Sequence, residues 1–148
     1  MKVIGLVGEK GGGKGTVVEI LKEVLGRDKI AVFTYSNLLA ETLDYFNLPH
    51  TRANFQALAT FLRSLNPRIL AEKIESQINE LPKQPRLFNE LKFIVVDGIR
   101  KQAELSPVSK FNGKLIYVTA SLEIRFERLK NRAEKQGEAF MTFEKFMA

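Results

Sequence analysis

From Lys2 to Val7 the chain is almost continuously apolar and then stops at glycine, the pattern of a strand buried on both faces. Val17, Ile20, Leu21, Val24 and Leu25 follow at helical spacing, and Gly26 stands where such a helix ends. Ile30 to Tyr35 is a second apolar run. Ser36 or Asn37 can cap a helix carrying Leu38, Leu39, Leu43 and Phe46, which Leu48-Pro49-His50 breaks. A helix beginning near Thr51 carries Phe55, Leu58, Phe61 and Leu62. Asn66-Pro67 opens the next, with Leu70, Ile74 and Ile78 at four-residue spacing. Pro82 and Pro85 bracket a loop. Phe93 to Val96 is a third buried strand, ending at Asp97-Gly98, and Leu115 to Val118 a fourth, introduced by the Asn112-Gly113 turn. A long amphipathic helix starts after Ser121.

Strands separated by helices imply parallel crossovers. The expected fold is therefore three-layer α/β with a mostly parallel sheet, nearly every strand being buried on both faces. A chain of 148 residues suits one domain, expected over residues 1–148, with no repeat, low-complexity tract or second domain. Ligands in such sheets bind beyond the carboxyl ends of the strands, which directs attention to the loops after Val7, Tyr35, Val96 and Val118.

Composition narrows the classes further. Apolar content of 45% and charged content of 27% are ordinary for globular proteins and argue against disorder. With no cysteine there are no disulfides or thiolate metal sites, and the lone His50 cannot build a zinc site by itself. The N-terminus goes straight into glycines without a secretory pattern, and no apolar run approaches the ~20 residues of a membrane span. A cytoplasmic location and no membrane partner are the resulting expectations. The net charge of +6 points to a polyanionic partner, but its sign alone does not separate nucleic acid from nucleotide phosphates or an anionic membrane.

The segment Gly8-Glu-Lys-Gly-Gly-Gly-Lys-Gly-Thr16 lies directly between a buried strand and a helix. Glycines there let successive amides point inward at phosphate oxygens, the helix adds its N-terminal dipole, and Lys14 neutralises the outer phosphates. Gly8, Gly11, Gly12, Gly13, Lys14, Gly15 and Thr16 are thus the candidate nucleotide-binding set. The Gly-x4-Gly-Lys spacing fits a phosphate loop, although Gly15 follows the lysine and the hydroxyl of Thr16, a candidate metal ligand, comes one place later. A plain glycine-rich turn is the alternative, disfavoured by the backbone entropy that three consecutive glycines cost.

Asp97 closes the third strand at the edge of the expected cleft. A carboxylate there can hold magnesium through water or orient an acceptor; its alternative is a turn-forming Asp-Gly pair. At ~100° per residue, Arg52, Gln56, Ala59 and Arg63 fall within about a 60° arc, away from Phe55, Leu58, Phe61 and Leu62. Such a face suits an acceptor's phosphate and base, or is simply solvated. Arg100, beside Asp97, is a further candidate for the acceptor phosphate. In the last long helix, Leu122, Phe126, Leu129 and Ala133 form the apolar stripe, with Arg125, Arg128 and Arg132 together on one flank. None has an acidic neighbour three or four places away, so the flank makes better sense facing an anion than as plain surface charge.

These residues resemble a family. Gly13-Lys-Gly-Thr16 is similar to the form common in adenylate kinase and its nucleoside monophosphate kinase relatives. Asp97-Gly-Ile-Arg100 resembles their Asp-Gly-x-x-Arg segment, one residue shorter, and Tyr35-Ser-Asn-Leu-Leu with Thr51-Arg-Ala-Asn-Phe-Gln resembles the acceptor region of adenylate-kinase-related and dephospho-coenzyme A kinase-like proteins. The resemblance covers essentially the whole chain. It implies phosphoryl transfer from ATP with Mg2+ to a small phosphate-bearing acceptor, a nucleoside or deoxynucleoside monophosphate. Lys14, Asp97, Arg128 and Arg132 would be catalytic, Thr16 and Asp97 the metal side, and Ser36, Arg52, Gln56, Arg63 and Arg100 the acceptor site. The helical acceptor region would span residues 36–80 and a lid residues 125–146, with Gly137 as its flexible point. Such kinases usually continue with a fifth strand and a terminal helix, so the chain is expected either to be a fragment or to hold the base differently. The rivals are dephospho-coenzyme A kinase-like transfer and a nucleotide-binding regulatory or nucleic-acid-associated protein. Nucleic acid is the weaker partner, because Phe55 and Phe61 fall on apolar faces instead of forming a stacking platform. A monomer or homodimer is expected.

Overall fold

A computed structural model describes residues 1–83, 90–135 and 142–147. In chain order the main elements are β1 (Lys2–Val7), α1 (Lys14–Leu25), β2 (Ile30–Thr34), α2 (Tyr35–Tyr45), α3 (Arg52–Leu65), α4 (Ile69–Glu80), β3 (Phe93–Asp97), α5 (Ser106–Lys110), β4 (Lys114–Tyr117), α6 (Leu122–Lys135) and α7 (Phe143–Met147). The four strands form one parallel sheet in the order β2-β3-β1-β4. Lys2 stands opposite Phe93 on one side of β1, and Ile4 opposite Lys114 on the other.

Both faces of the sheet are covered, which makes the fold a three-layer α/β. On one side Leu6, Ile30 and Val95 pack with Val18 of α1; on the other Val3, Ile94 and Val96 meet α2, α3, α4 and Val108 of α5. Consecutive residues of a strand point to opposite faces, so a strand covered twice has no polar side to spare. Ile94, Val95 and Val96 are accordingly 0% exposed. Burial of each such side chain contributes about 1.5–3 kcal/mol.

β4 departs from the expectation of strands buried on both faces. It runs over Lys114–Tyr117, one residue earlier than predicted, and is exposed throughout: Leu115 is 49%, Ile116 41% and Tyr117 61% exposed. Among the described residues β1 is its only strand neighbour, so an apolar run that reads as a central strand stands at the sheet edge. The apolar stripe of α1 divides similarly. Val17, Leu21 and Leu25 pack on the core while Ile20 and Val24 are exposed.

The start of α2 also differs. Thr34, not Ser36 or Asn37, is the cap, its hydroxyl oxygen accepting the Asn37 N–H at 3.1 Å. β2 ends one residue early, so Tyr35 is already helical, and its hydroxyl donates to the Glu104 carbonyl at 2.8 Å in the interior. α3 begins next to Thr51 as predicted, and Thr51 caps it, its hydroxyl oxygen accepting from the Asn54 N–H at 3.1 Å. Phe46 and Phe61, predicted on apolar helical faces, are exposed instead and line an apolar cleft of about 250 Å3 between α2 and α3.

Candidate phosphate-binding site

β1 ends at Val7, and the glycine loop carries the chain into α1, whose N-cap is Gly13 with φ 104°. That left-handed conformation is accessible to glycine at little cost. Gly8 is required for a different reason: a Cβ there would sit 1.9 Å from the Val118 carbonyl oxygen, because the loop is pressed against the backbone that leaves β4. The Val118 N–H donates to the Val7 carbonyl at 2.7 Å and holds the two segments together.

Lys14 folds back over this loop. Its Nζ donates to the Gly8 carbonyl at 2.7 Å and to the Glu9 carbonyl at 3.1 Å, which keeps the ammonium at the loop. No acidic residue occupies the first turn of α1, so the positive end of its dipole is not offset there. Gly15 and Thr16 are exposed on that turn. A glycine cradle with a cation folded over it and a helix terminus behind it suits a chain of phosphates.

Asp97 comes to the same place through topology. β1 and β3 are adjacent, yet the loop after β1 leads to α1 on one face and the loop after β3 leads to α5 on the other. Where neighbouring connections part in this way, a crevice opens between the strand ends. Asp97 is half-buried there, its Oδ1 accepting the Gly98 N–H at 2.6 Å. Thr34 is opposite Asp97 in register, which puts Ser36, exposed in the first turn of α2, beyond the same end of the sheet.

The basic flank of α6 separates into three roles. Arg128 Nη1 donates to the Gly11 carbonyl at 3.1 Å and the Gly12 carbonyl at 3.3 Å, so this guanidinium lies on the phosphate loop itself. Arg125 lies over the Phe146 ring, 5.7 Å from its centroid. Arg132, one turn beyond Arg128, is exposed. Among the described residues none of the three forms a salt bridge. The predicted lid falls partly on residues 136–141, Gly137 included, which lie outside the described residues.

On α3 the predicted face has two parts. Arg63 meets Glu104 Oε1 through Nε at 3.2 Å and Nη2 at 2.6 Å, so its guanidinium is occupied in an ion pair and does not stand open to an acceptor. Ala59 is buried, whereas Gln56 and Arg52 are exposed about 10 and 16 Å from Arg63 along the axis, toward the start of the helix. Arg100 is exposed in the loop after β3, its N–H donating to Glu104 Oε2 at 2.8 Å. The structure thus joins the glycine loop, Lys14 and Arg128 by direct contact and sets Asp97 at the neighbouring strand end. Among the described residues no hydrogen bond or ion pair links Arg52 or Gln56 to them.

Two acidic residues near the site are specified by none of the motifs of the sequence. Glu9 Oε1 accepts from the Tyr117 hydroxyl at 2.6 Å. That bond, helped by the residue's own backbone, holds the Glu9 carboxyl down at about 2, below its ordinary 4.5, and pushes the Tyr117 hydroxyl up. Glu104 is 1% exposed and serves Arg63, Arg100 and Lys101. Its signal is faint: it is the only acid between Asp97 and Glu123, among Arg100, Lys101 and Lys110.

Fold and loop together define a P-loop kinase-like protein, built on a parallel sheet whose first strand delivers the phosphate cradle. The chain belongs to the AAA_18 family, described as an AAA domain, which it matches over residues 4–145. It is 34% identical over 136 residues to a UPF0200/UPF0201 protein of Archaeoglobus fulgidus, covering 89% of this chain and 39% of that protein. A UPF0200 protein of Methanoculleus marisnigri is 33% identical over 134 residues, covering 89% and 67%. The chain therefore spans well under half of the first relative and about two thirds of the second.

Solved structures agree on the fold. A chain of the Pnkp1/Rnl/Hen1 RNA repair complex superposes with a TM-score of 0.56 at 13% identity, over 97% of this chain and 41% of that one. A gluconokinase from Sinorhizobium meliloti gives 0.52 at 16% identity, over 99% and 71%. TT1252 from Thermus thermophilus gives 0.51 at 22% identity, over 99% and 83%. Among the described residues no helix is long and apolar enough to cross a membrane.

Proposed function

We infer that the chain transfers the terminal phosphoryl group of ATP to a small phosphate-bearing acceptor, a nucleoside or deoxynucleoside monophosphate. The observation that carries this reading is the crevice between β1 and β3, with Lys14 folded over the glycine loop on one side and the Asp97 carboxylate on the other. In-line phosphoryl transfer asks mainly for positioning and charge neutralisation. Loop amides and Lys14 hold the donor phosphates, Arg128 and Arg132 stabilise the charge of the group in flight, and Ser36, Arg52, Gln56 and Arg100 receive the acceptor.

The residues present also fit a magnesium ion. Among the described residues no three His, Asp or Glu side chains gather as a metal cage. An ion here would therefore draw on Asp97, the Thr16 hydroxyl, waters and substrate phosphates, the mixture that Mg2+ prefers. When bound, it would neutralise charge on the donor's outer phosphate oxygens. Residues 1–148 would act as one kinase-like domain, residues 36–80 serving the acceptor and residues 125–146 acting as a lid.

A phosphoryl-transfer screen with magnesium ATP tests the reading, run across nucleoside monophosphates, deoxynucleotides and dephospho-coenzyme A. Turnover with at least one monophosphate, lost in Lys14→Ala, is the expected result. Turnover with dephospho-coenzyme A alone would move the acceptor to a ribose hydroxyl, and ATP binding without any transfer would refute the kinase reading.

A further inference from the structure

Glu104 is the most heavily engaged carboxylate near the crevice, and the chemistry of phosphate transfer does not use it. It sits in a one-turn helix, Gln102–Leu105, between the end of β3 and α5, and is 1% exposed. Its two oxygens serve different elements. Oε1 takes both contacts from Arg63 of α3, at 2.6 and 3.2 Å, while Oε2 accepts the N–H groups of Arg100 at 2.8 Å and Lys101 at 3.2 Å. Its own carbonyl accepts the Tyr35 hydroxyl at 2.8 Å, which brings in the first residue of α2.

The three elements tied to this residue are those expected to surround the acceptor. α2 starts beside Asp97, the loop after β3 carries Arg100, and α3 carries Gln56 and Arg52 on the face that ends in Arg63. A buried charge is tolerated only when its hydrogen-bonding capacity is filled, and here four donors from two elements fill it. A change at Glu104 thus acts on the backbone of Arg100 directly, and on the tilt of α3 through Arg63.

We propose that Glu104 is the positioning residue of the acceptor site: by holding the Arg100 and Lys101 amides on one oxygen and Arg63 on the other, it keeps the Arg100 loop in register with α3. This rests on the phosphoryl-transfer reading above. Glu104 touches neither donor nor acceptor. Its loss should weaken acceptor binding while sparing the donor side, where Lys14 and Arg128 make no contact with it.

The test uses Glu104→Gln, Arg63→Met and the double variant, with steady-state kinetics in each substrate and thermal unfolding. Glu104→Gln is expected to raise the acceptor KM about tenfold, the scale of one charge-assisted bond, with the ATP KM within twofold. Arg63→Met cuts the tie to α3 but leaves Oε2 on the two amides, and should raise the acceptor KM by an intermediate factor of about threefold. The double variant separates positioning from stability. Removing both charges should return much of the lost Tm, yet the acceptor KM should stay raised because the amides still lack their carboxylate. Should Glu104→Gln fail to fold, Arg63→Met and the double variant carry the comparison. An acceptor KM that recovers together with Tm, or an ATP KM that rises in parallel, would overturn the proposal.

If the wild-type chain transfers phosphate to none of the acceptors screened, the kinase reading fails separately. Amide hydrogen exchange then decides for Glu104. In Glu104→Gln the Arg100 and Lys101 amides should exchange at least about tenfold faster while the Gly12 and Val17 amides stay as protected as before. Unchanged exchange at Arg100 and Lys101 would show that the carboxylate does not hold the loop.

Discussion

Lys14 donates to two loop carbonyls, a network it would have to share with phosphate oxygens once a nucleotide is bound. Lys14→Ala should therefore lower ATP affinity at least about tenfold, the scale of a charge-assisted hydrogen bond, with a nearly unchanged Tm. Titration calorimetry against magnesium ATP checks it, and wild-type affinity would remove the lysine from the donor site. Under the proposed phosphoryl transfer, Arg128 and Arg132 would serve the reaction more than binding. Each alanine variant should lose about tenfold or more in kcat with the ATP KM within about threefold, read from steady-state rates. Arg100→Ala should raise the acceptor KM by ten- to hundredfold, the equivalent of about 1.5–3 kcal/mol, and leave ATP affinity alone. That Lys14 lies on the glycine loop could be read from spacing, because the loop is contiguous in sequence. Arg63 could not be placed that way. A helical wheel tells which face it occupies, but its partner Glu104 comes from another element beyond β3 and is chosen by packing.

At the level of elements, Gly8 and Gly15 make a controlled contrast. Gly8 leaves no room for a methyl group against the Val118 carbonyl, and its φ is 146°. Gly15 has nothing within 4 Å of an added Cβ. Gly8→Ala should accordingly lower Tm and phosphate affinity together, whereas Gly15→Ala should keep Tm or raise it, since alanine favours a helix by up to about 1 kcal/mol. Differential scanning calorimetry distinguishes them, and equal losses would mean that the loop does not press on the chain after β4. The Glu9–Tyr117 bond makes the same junction sensitive to acid. Because the folded Glu9 carboxyl titrates at about 2 and its ordinary value is 4.5, its stabilisation is complete above that ordinary value and disappears as pH falls toward about 2. Glu9→Gln should flatten the fall of Tm across that window, and an unchanged acid limb would show that the bond does not form in solution. Strand and helix order could be read from apolar runs and caps, since those signals are local. The exposure of β4 could not: Leu115 to Val118 has the composition of a central strand, and only the pairing order makes it an edge.

For the molecule as a whole, the order β2-β3-β1-β4 has a consequence in time. Among the four described strands β1 comes first and does not pair with β2; it waits for β3, and Lys2 finds Phe93 only after α1 through α4 exist. β2 waits for the same partner, as Ile30 also lies opposite Phe93. One late strand therefore joins β1 to β2, and the loop entropy of the roughly ninety residues between Lys2 and Phe93 is met before any ladder bond offsets it. A fragment ending at Lys83 holds β1, β2 and four helices but not the strand that joins them, and it should melt without a cooperative transition where the full chain melts with one. During synthesis, the glycine loop would stay unformed as a phosphate cradle until the carboxylate opposite it had also been made, so that the site could bind nothing before both of its walls stood.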